Sequence, residues 1–117
     1  MPLFSIYQPE RYVDMVNTML TIYKEQGRLP IWHLFSWETE TMVGNPGIPP
    51  VADAIMKDFE GIDHELAFEA MKVSAMRPDR GQGARMEYGY IPYDKYHESV
   101  AYDLEYALAD GALALAA

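Results

Sequence analysis

Hydrophobic positions recur at helical spacing in four stretches of the chain. In the first, Pro9 stands near the start, Gly27 follows the end, and apolar side chains fall three or four residues apart at Tyr12, Val13, Val16, Met19, Leu20 and Tyr23. Proline in the first turn and glycine after the last are typical helix boundaries. The pattern therefore predicts an amphipathic helix from Pro9 to Gln26.

Three more helices follow from the same periodicity. A narrow apolar stripe running toward Gly61 predicts the second, with Val51, Ala54, Ile55 and Phe59. Asp63 is placed to cap the third, whose apolar face holds Leu66, Ala67, Ala70, Met71 and Ser74. Ser99 is the predicted cap of the last, in which Val100, Leu104, Ala107 and Leu108 share a face. That helix reaches Ala117 without a capping residue, so we expect it to be interrupted rather than complete.

The segments between these helices are predicted to be irregular. Residues 29–45 show neither helical nor strand periodicity, and residues 76–96 are rich in glycine, proline and tyrosine. No alternating strand pattern and no internal repeat is detectable. The chain is therefore predicted to be all-α, an array of about four helices with long loops in a single domain spanning residues 1–117.

The composition of the chain argues against some classes of binding partner. The 117 residues include 18 acidic and 9 basic side chains, a net charge of −9, which repels nucleic acid and anionic membrane surfaces. No apolar run approaches the roughly 20 residues that span a bilayer, and the first four residues lack the features of a secretory signal. The absence of cysteine excludes disulfides and thiolate metal sites but leaves the compartment open.

Residues 29–45 are the strongest candidate for function, because polar and aromatic side chains on irregular backbone often form a ligand surface. Glu38 either contacts a ligand, orients a residue that does, or makes a structural hydrogen bond to backbone. Asn45 either presents its amide to a ligand or caps the next segment. Four aromatic rings either stack on a ligand or belong to the core: Trp32, Trp37, Tyr90 and Tyr93.

Other side chains offer carboxylates and imidazoles. Glycoside hydrolysis generally uses two carboxyl groups, and Glu98 and Glu105, seven residues apart, are candidates that share a helix face. The spacing of His33, His64 and His97 matches no local zinc motif, so no metal site is predicted.

Four short stretches carry a family resemblance. They are S-I-Y-Q-P-E-R at 5–11, L-P-I-W-H-L-F-S-W-E-T-E-T-M-V-G-N at 29–45, G-Y-I-P-Y at 89–93 and E-S-V-A-Y-D-L-E-Y-A at 98–107. In this order they resemble glycoside hydrolase family 92, the calcium-dependent exo-α-mannosidases. The resemblance implies that the chain is an internal fragment of an (α/α)6 barrel whose parent enzyme acts on mannose-containing glycans and is typically exported.

The resemblance also implies an inverting mechanism in the parent, with a glutamate as proton donor, an aspartate that activates water, and calcium at the sugar's 2- and 3-hydroxyls. The corresponding motifs, T-E-G-N-x-W, G-N-E-P-S-H-H and G-[ND]-[DE]-D-x-G-Q-M-S-A-W, do not occur in this sequence. We expect them downstream of Ala117. No catalytic residue and no calcium ligand is therefore assigned to this chain.

What carries over is one wall of the sugar pocket. By resemblance, Glu38, Thr39 and Asn45 belong to the innermost sugar subsite, with Trp32 and Glu98 as supporting residues. The chain departs from the family in two places. Gly111 stands where a tryptophan is usual, and Gly44-Asn45-Pro46 replaces a common Gly-Tyr-His.

Three hypotheses follow. The first is a family 92 fragment that is inactive alone; the alternative is a self-standing helical module that binds carbohydrate or protein without chemistry. The third is a small active hydrolase that uses Glu38 with Glu98 or Glu105. A fragment is expected to expose a large apolar face and to self-associate, whereas a module would cover its apolar stripes.

Overall fold

The computed structural model describes every residue of the chain except Pro2. The described chain is mostly helical, which confirms the all-α prediction. Its elements are α1 Phe4–Tyr7, α2 Pro9–Gln26, β1 His33–Leu34, β2 Trp37–Glu38, α3 Ile48–Met56, α4 His64–Ala75, α5 Gln82–Tyr88 and α6 Ser99–Ala116. The four predicted helices correspond to α2, α3, α4 and α6, while α1, α5 and the two strands were not predicted.

Helix α2 has the predicted boundaries. Gly27 follows it in the left-handed conformation, with φ of 76°, and its N–H donates to the Tyr23 carbonyl at 2.8 Å. Glycine adopts this conformation without the steric cost of a Cβ atom, so it ends the helix cleanly. The predicted apolar face is the one that packs inward, with Tyr12, Val16 and Leu20 buried.

The other helix boundaries agree in part. Asp63 caps α4 as predicted, because its carboxylate accepts from the Leu66 N–H at 3.0 Å. Helix α3 ends at Met56, short of Gly61. The prediction that Ser99 caps α6 is wrong: Glu98, with φ of 51°, is the N-cap residue, and no side chain caps the helix.

Helix α3 is at the centre of the packing. It contacts α6, α4 and α2, and its buried residues are Ile48, Val51, Ala52 and Ala54. The core consists mainly of aliphatic side chains from α2, α3 and α4, among them Val16, Leu20, Ile48, Val51, Ala52, Ala54, Ala67, Ala70 and Met71. Helix α6 contributes Ala109 to this core, and its Tyr102 and Tyr106 form a second buried cluster with Ile91.

The opposite side of α6 is also apolar. Val100, Leu104, Ala107 and Leu108 share a face, as predicted, but that face is exposed. Leu104, at its centre, is 68% exposed. Helix α6 is thus apolar on both sides and buries only one of them.

Helix α5 lies in the region predicted to be irregular. It begins after Gly81 and ends before Gly89, both in the left-handed conformation. Side-chain contacts with distant residues hold it in place: the Gln82 amide donates to the Ala75 carbonyl at 2.7 Å, and Arg85 binds Asp110 at 2.6 Å. Among the described helices, none has the combination of length and apolar character needed to cross a bilayer.

Candidate functional site

The candidate segment contains a short β-hairpin, so the prediction that it has no strand structure is wrong at its centre. His33 pairs with Glu38 and Leu34 with Trp37 in antiparallel register. The two residues of the turn, Phe35 and Ser36, have φ of 52° and 67°. Positive φ at both central positions is what a type I′ turn requires, and this turn suits the twist of a tight hairpin.

The Glu38 carboxylate stabilises the hairpin through hydrogen bonds to its backbone. It accepts hydrogen bonds from the backbone N–H groups of Ile31 at 2.7 Å, Trp32 at 2.8 Å and Glu40 at 2.8 Å. The Nε2 atom of His33 lies 3.3 Å from the same carboxylate, which is only 7% exposed. An ionised carboxylate offers about four acceptor positions, and here three backbone donors occupy them with the His33 ring close by. The geometry therefore matches the structural hydrogen-bonding role among the alternatives for Glu38.

The electrostatics of Glu38 follow from these contacts. Burial acts to raise the pKa of its carboxyl group, but the three backbone donors and His33 act in the other direction, and the pKa is lowered from its ordinary value. Glu38 is accordingly ionised at neutral pH. A glycosidase proton donor needs a raised pKa, so the environment of Glu38 is the opposite of the one that a general acid requires.

Thr39 and Asn45 connect the hairpin segment to neighbouring backbone. The Thr39 hydroxyl donates to the Trp32 carbonyl at 2.7 Å and lies 3.1 Å from the Thr41 hydroxyl. The Asn45 amide donates to the Ser74 carbonyl at 3.3 Å. Asn45 does not cap α3, whose N-cap residue is Gly47; its side chain instead ties residue 45 to the end of α4.

The aromatic side chains of the hairpin point outward. Trp32 is 45% exposed, Trp37 66% and Phe35 91%. Tyr90 and Tyr93 are exposed as well, so none of the four candidate stacking rings belongs to the core. A mainly apolar cavity of about 270 Å³ lies beside the hairpin and is lined by Met19, Pro30, Ile31, Trp32, His33, Leu34, Pro46 and Gly47.

Glu98 lies in a different concavity. It lines a cavity of about 580 Å³ at the start of α6, together with Tyr93, His97 and Leu104. The structure thus brings Trp32, Glu38 and Thr39 together in the hairpin and places Asn45 where the segment meets α4. Glu98 lies apart from these residues, in the wall of the cavity at the start of α6.

A cluster of charged residues beneath the segment was not predicted. Glu40 pairs with Arg28, and the Nε atom of Arg80 lies 3.9 Å from the Glu40 carboxylate. The buried Arg80 guanidinium also donates to the carbonyl of Gly44 at 2.8 Å and to that of Met42. Sequence reasoning missed this cluster because a single arginine in a loop rich in glycine has no periodicity and no motif to mark it.

The side chains of the described residues do not group into a calcium site. Within the described part of the chain, no three histidine, aspartate or glutamate side chains come together as a group that would hold a metal ion. The acidic groups nearest the hairpin are already occupied, Glu38 by backbone N–H groups and Glu40 by Arg28.

Solved structures of much larger enzymes contain the same arrangement. The α-mannosidase BT3965 of Bacteroides thetaiotaomicron, of family GH92, shares 40% identity with this chain and superposes with a TM-score of 0.91, covering 97% of this chain and 16% of its own. Its complex with mannoimidazole gives a TM-score of 0.93, covering 98% and 16%. The chain therefore spans about a sixth of these enzymes.

Sequence comparison leads to the same family. An uncharacterized secreted glycosidase of Arthroderma benhamiae is 35% identical, and the match covers 81% of this chain and 13% of that protein. The model of the glycosyl hydrolase family 92 catalytic domain matches residues 1–117. The predicted relation to an (α/α)6 enzyme is confirmed. This chain belongs to glycosyl hydrolase family 92, and it comprises part of the family's catalytic domain.

Proposed function

We propose that this chain forms part of the mannose-binding wall of an α-mannosidase-type glycosidase and hydrolyses no glycoside by itself. The observation that carries the proposal is the hairpin, which presents exposed aromatic rings on a backbone fixed by the Glu38 carboxylate. The similarity to an α-mannosidase that binds mannoimidazole supports mannose as the sugar.

The residues have different parts in this proposal. The exposed ring of Trp32 covers the apolar C–H face of the sugar, while the Thr39 hydroxyl and the Asn45 amide face its hydroxyl groups. Glu38 acts indirectly, because its acceptor positions are filled by hairpin N–H groups and His33. Glu98 contributes through the neighbouring concavity at the start of α6.

Hydrolysis requires more than this wall provides. Two carboxyl groups must flank the scissile bond, roughly 6.5–9.5 Å apart for an inverting enzyme. Glu38 is engaged beneath the hairpin and has a lowered pKa, and Glu98 lines a different cavity. No calcium ligand set is present among the described residues, so the proposal assigns the ion no step in this chain.

Titration with mannoimidazole tests the binding role. Isothermal calorimetry on the 117-residue chain is expected to show binding that weakens in Trp32→Ala and in Thr39→Val. Tyr7→Ala, which removes an exposed ring on α1, serves as the matched control and should bind like the parent chain. Equal affinity in all four proteins, or none in the parent chain, would contradict the proposal.

A turnover assay tests the inactivity. With an aryl α-mannoside and added calcium, the chain is expected to release no phenol above the buffer rate. Turnover that disappears in Glu38→Gln would instead support a small active hydrolase, and the proposal would be wrong.

The exposed face of α6 favours the fragment over a self-standing module. A module would cover an apolar stripe of this kind, whereas here Val100, Leu104 and Leu108 are all exposed. We propose that isolated copies self-associate through this face.

A further inference from the structure

Arg80 is a buried cation whose side chain contacts the proposed sugar-binding segment. Its side chain is 7% exposed, and it lies between α4 and α5, outside the segment itself. Burial of a guanidinium is costly unless its donors are satisfied. The hydrogen-bond partners of Arg80 therefore identify the part of the structure that this side chain stabilises.

The partners of Arg80 are concentrated on residues 42–44. The Nη1 atom donates to the Gly44 carbonyl at 2.8 Å, and the Nη2 atom donates to the Met42 carbonyl. The Nε atom faces Glu40 at 3.9 Å. The one guanidinium therefore contacts three residues, Glu40, Met42 and Gly44. They belong to residues 39–44, the strip that joins the hairpin to Asn45.

Arg80 is itself fixed from the side of α6. Its Nη2 atom lies 3.3 Å from the Tyr102 hydroxyl, its guanidinium lies over the Tyr102 ring at 5.2 Å, and its backbone carbonyl accepts from the Tyr106 hydroxyl at 2.8 Å. The residue is a rigid bridge from α6 to the strip.

We propose that Arg80 is a positioning residue for sugar binding, which sets the distance between the hairpin and Asn45 by holding the carbonyls of Met42 and Gly44. This inference rests on the proposed function. Lysine cannot replace it, because a single ammonium lacks the planar fork that reaches two carbonyls at once.

The test compares Arg80→Met with two controls on the 117-residue chain. Arg77→Met removes a neighbouring, more exposed arginine that pairs with Asp79. Tyr12→Phe removes a buried hydroxyl bound to Pro50 and Asp53, far from the strip in sequence. The affinity of each variant is measured at the same number of degrees below its own melting temperature. Mannoimidazole affinity is expected to fall roughly tenfold or more in Arg80→Met, since misplacement by about 1 Å is enough to impair a site, and to stay within about twofold in both controls.

A second measurement separates this inference from the proposed function. Amide hydrogen exchange is expected to accelerate at residues 42–45 in Arg80→Met and to remain unchanged in α2. If the parent chain binds no mannoimidazole, the proposed function fails, while localised exchange still supports Arg80 as the residue that positions the strip. Unchanged exchange at residues 42–45, or an equal loss of affinity in Tyr12→Phe, would overturn the inference. If Arg80→Met does not fold, Arg80→Lys is measured in the same way, and full affinity in that variant also overturns it.

Discussion

The Glu38 carboxylate supplements the strand pairing of a hairpin too short to be stable by itself. Each strand has two residues, and an isolated two-stranded hairpin is marginal even when it is longer. Three backbone N–H groups converge on the carboxylate, and hydrogen bonds to a charged group contribute about 1.5–3 kcal/mol each. The shape of the proposed sugar wall therefore depends on one ionised side chain.

This dependence predicts a pH effect. The pKa of Glu38 is lower in the folded chain than in the unfolded one, so ionisation stabilises the fold above the unfolded pKa of about 4.3, and the stabilisation is lost as the pH falls through the folded value. Glu38→Gln is expected to lower the free energy of unfolding by about 2 kcal/mol at pH 7 and by less at acid pH. Urea unfolding at several pH values measures it.

Glu60→Gln is the matched control, because Glu60 is exposed and no hydrogen bond to its side chain stabilises the hairpin. Its unfolding curves should follow those of the parent chain at every pH. A Glu38→Gln variant that loses the same free energy at pH 3 and at pH 7 would contradict the assigned role of the charge.

At the residue scale, the sequence predicted the candidate residues of the segment better than it predicted their hydrogen-bond partners. Glu38 stood out because a carboxylate lay between aromatic and hydroxyl side chains, and it does lie in the hairpin, at the end of β2. Its three N–H partners depend on how the backbone folds over it, which no spacing revealed. Arg80 had no local signal, since its partners lie 36 and 38 residues earlier in the chain.

At the scale of elements, Gly44 allows the hairpin segment to pack closely against α6, and of the glycines it leaves the least room for a side chain. A Cβ atom at Gly44 would lie 2.4 Å from the Cβ of Glu105 and 3.3 Å from its backbone carbonyl carbon, and Gly44 has φ of 71°. Overpacking of this kind and a left-handed alanine each cost about 1–3 kcal/mol. The hairpin segment can approach α6 this closely only with glycine.

Gly44→Ala is accordingly expected to destabilise the chain by about 3 kcal/mol. Gly89→Ala has a similar positive φ but no atom within 4 Å of the added Cβ, so it should lose only about 1 kcal/mol. Chemical denaturation of the two variants measures the difference. Equal losses would show that backbone conformation alone, without the contact with Glu105, accounts for the glycine.

Gly111 gives a prediction of the opposite sign. It lies inside α6, where glycine is unfavourable relative to alanine by about 1 kcal/mol, and no atom lies within 4 Å of an added Cβ. Gly111→Ala is therefore expected to raise the free energy of unfolding by about 1 kcal/mol. Ala107→Gly, on the same exposed face, should lower it by a similar amount, and a loss of stability in Gly111→Ala would contradict the prediction.

Element prediction succeeded where the signal was local and long. Helix α2 has both boundary residues and an unbroken apolar period, and α4 has its capping aspartate. The hairpin was missed because strands of two residues cannot show alternation, and because Phe35-Ser36 lacks the Asn-Gly signal of a type I′ turn. Helix α5 was missed because its position depends on contacts with Ala75 and Asp110.

For the whole molecule, the exposed face of α6 predicts concentration-dependent association. Sedimentation velocity is expected to show larger species as the concentration rises, because Leu104 and Leu108 lie exposed on a stripe that carries no charge. Leu104→Glu combined with Leu108→Glu should shift the chain toward monomer. Leu3→Glu, an exposed leucine outside α6, is the control, and a parent chain that stays monomeric at high concentration would contradict the prediction.

The architecture as a whole came from sequence in outline only. Short motifs indicated the family, and the family match over residues 1–117 confirms it. Periodicity indicated a shared apolar face on α6, but it could not show which of two apolar faces of this helix would be buried. That choice depends on Tyr102 and Tyr106, whose rings pack beneath Arg80 and Arg85.

The chain's tryptophans number two, and both stand in the hairpin with their indoles partly in water. Fluorescence excited selectively at tryptophan consequently reports on this one segment, while far-ultraviolet circular dichroism is dominated by the helices. Recording both through a thermal ramp would show whether the hairpin opens before the helices unfold, since coincident transitions are the signature of a single cooperative unit. A fluorescence change that precedes the circular dichroism change would mean that the hairpin unfolds at temperatures where the helices are still folded.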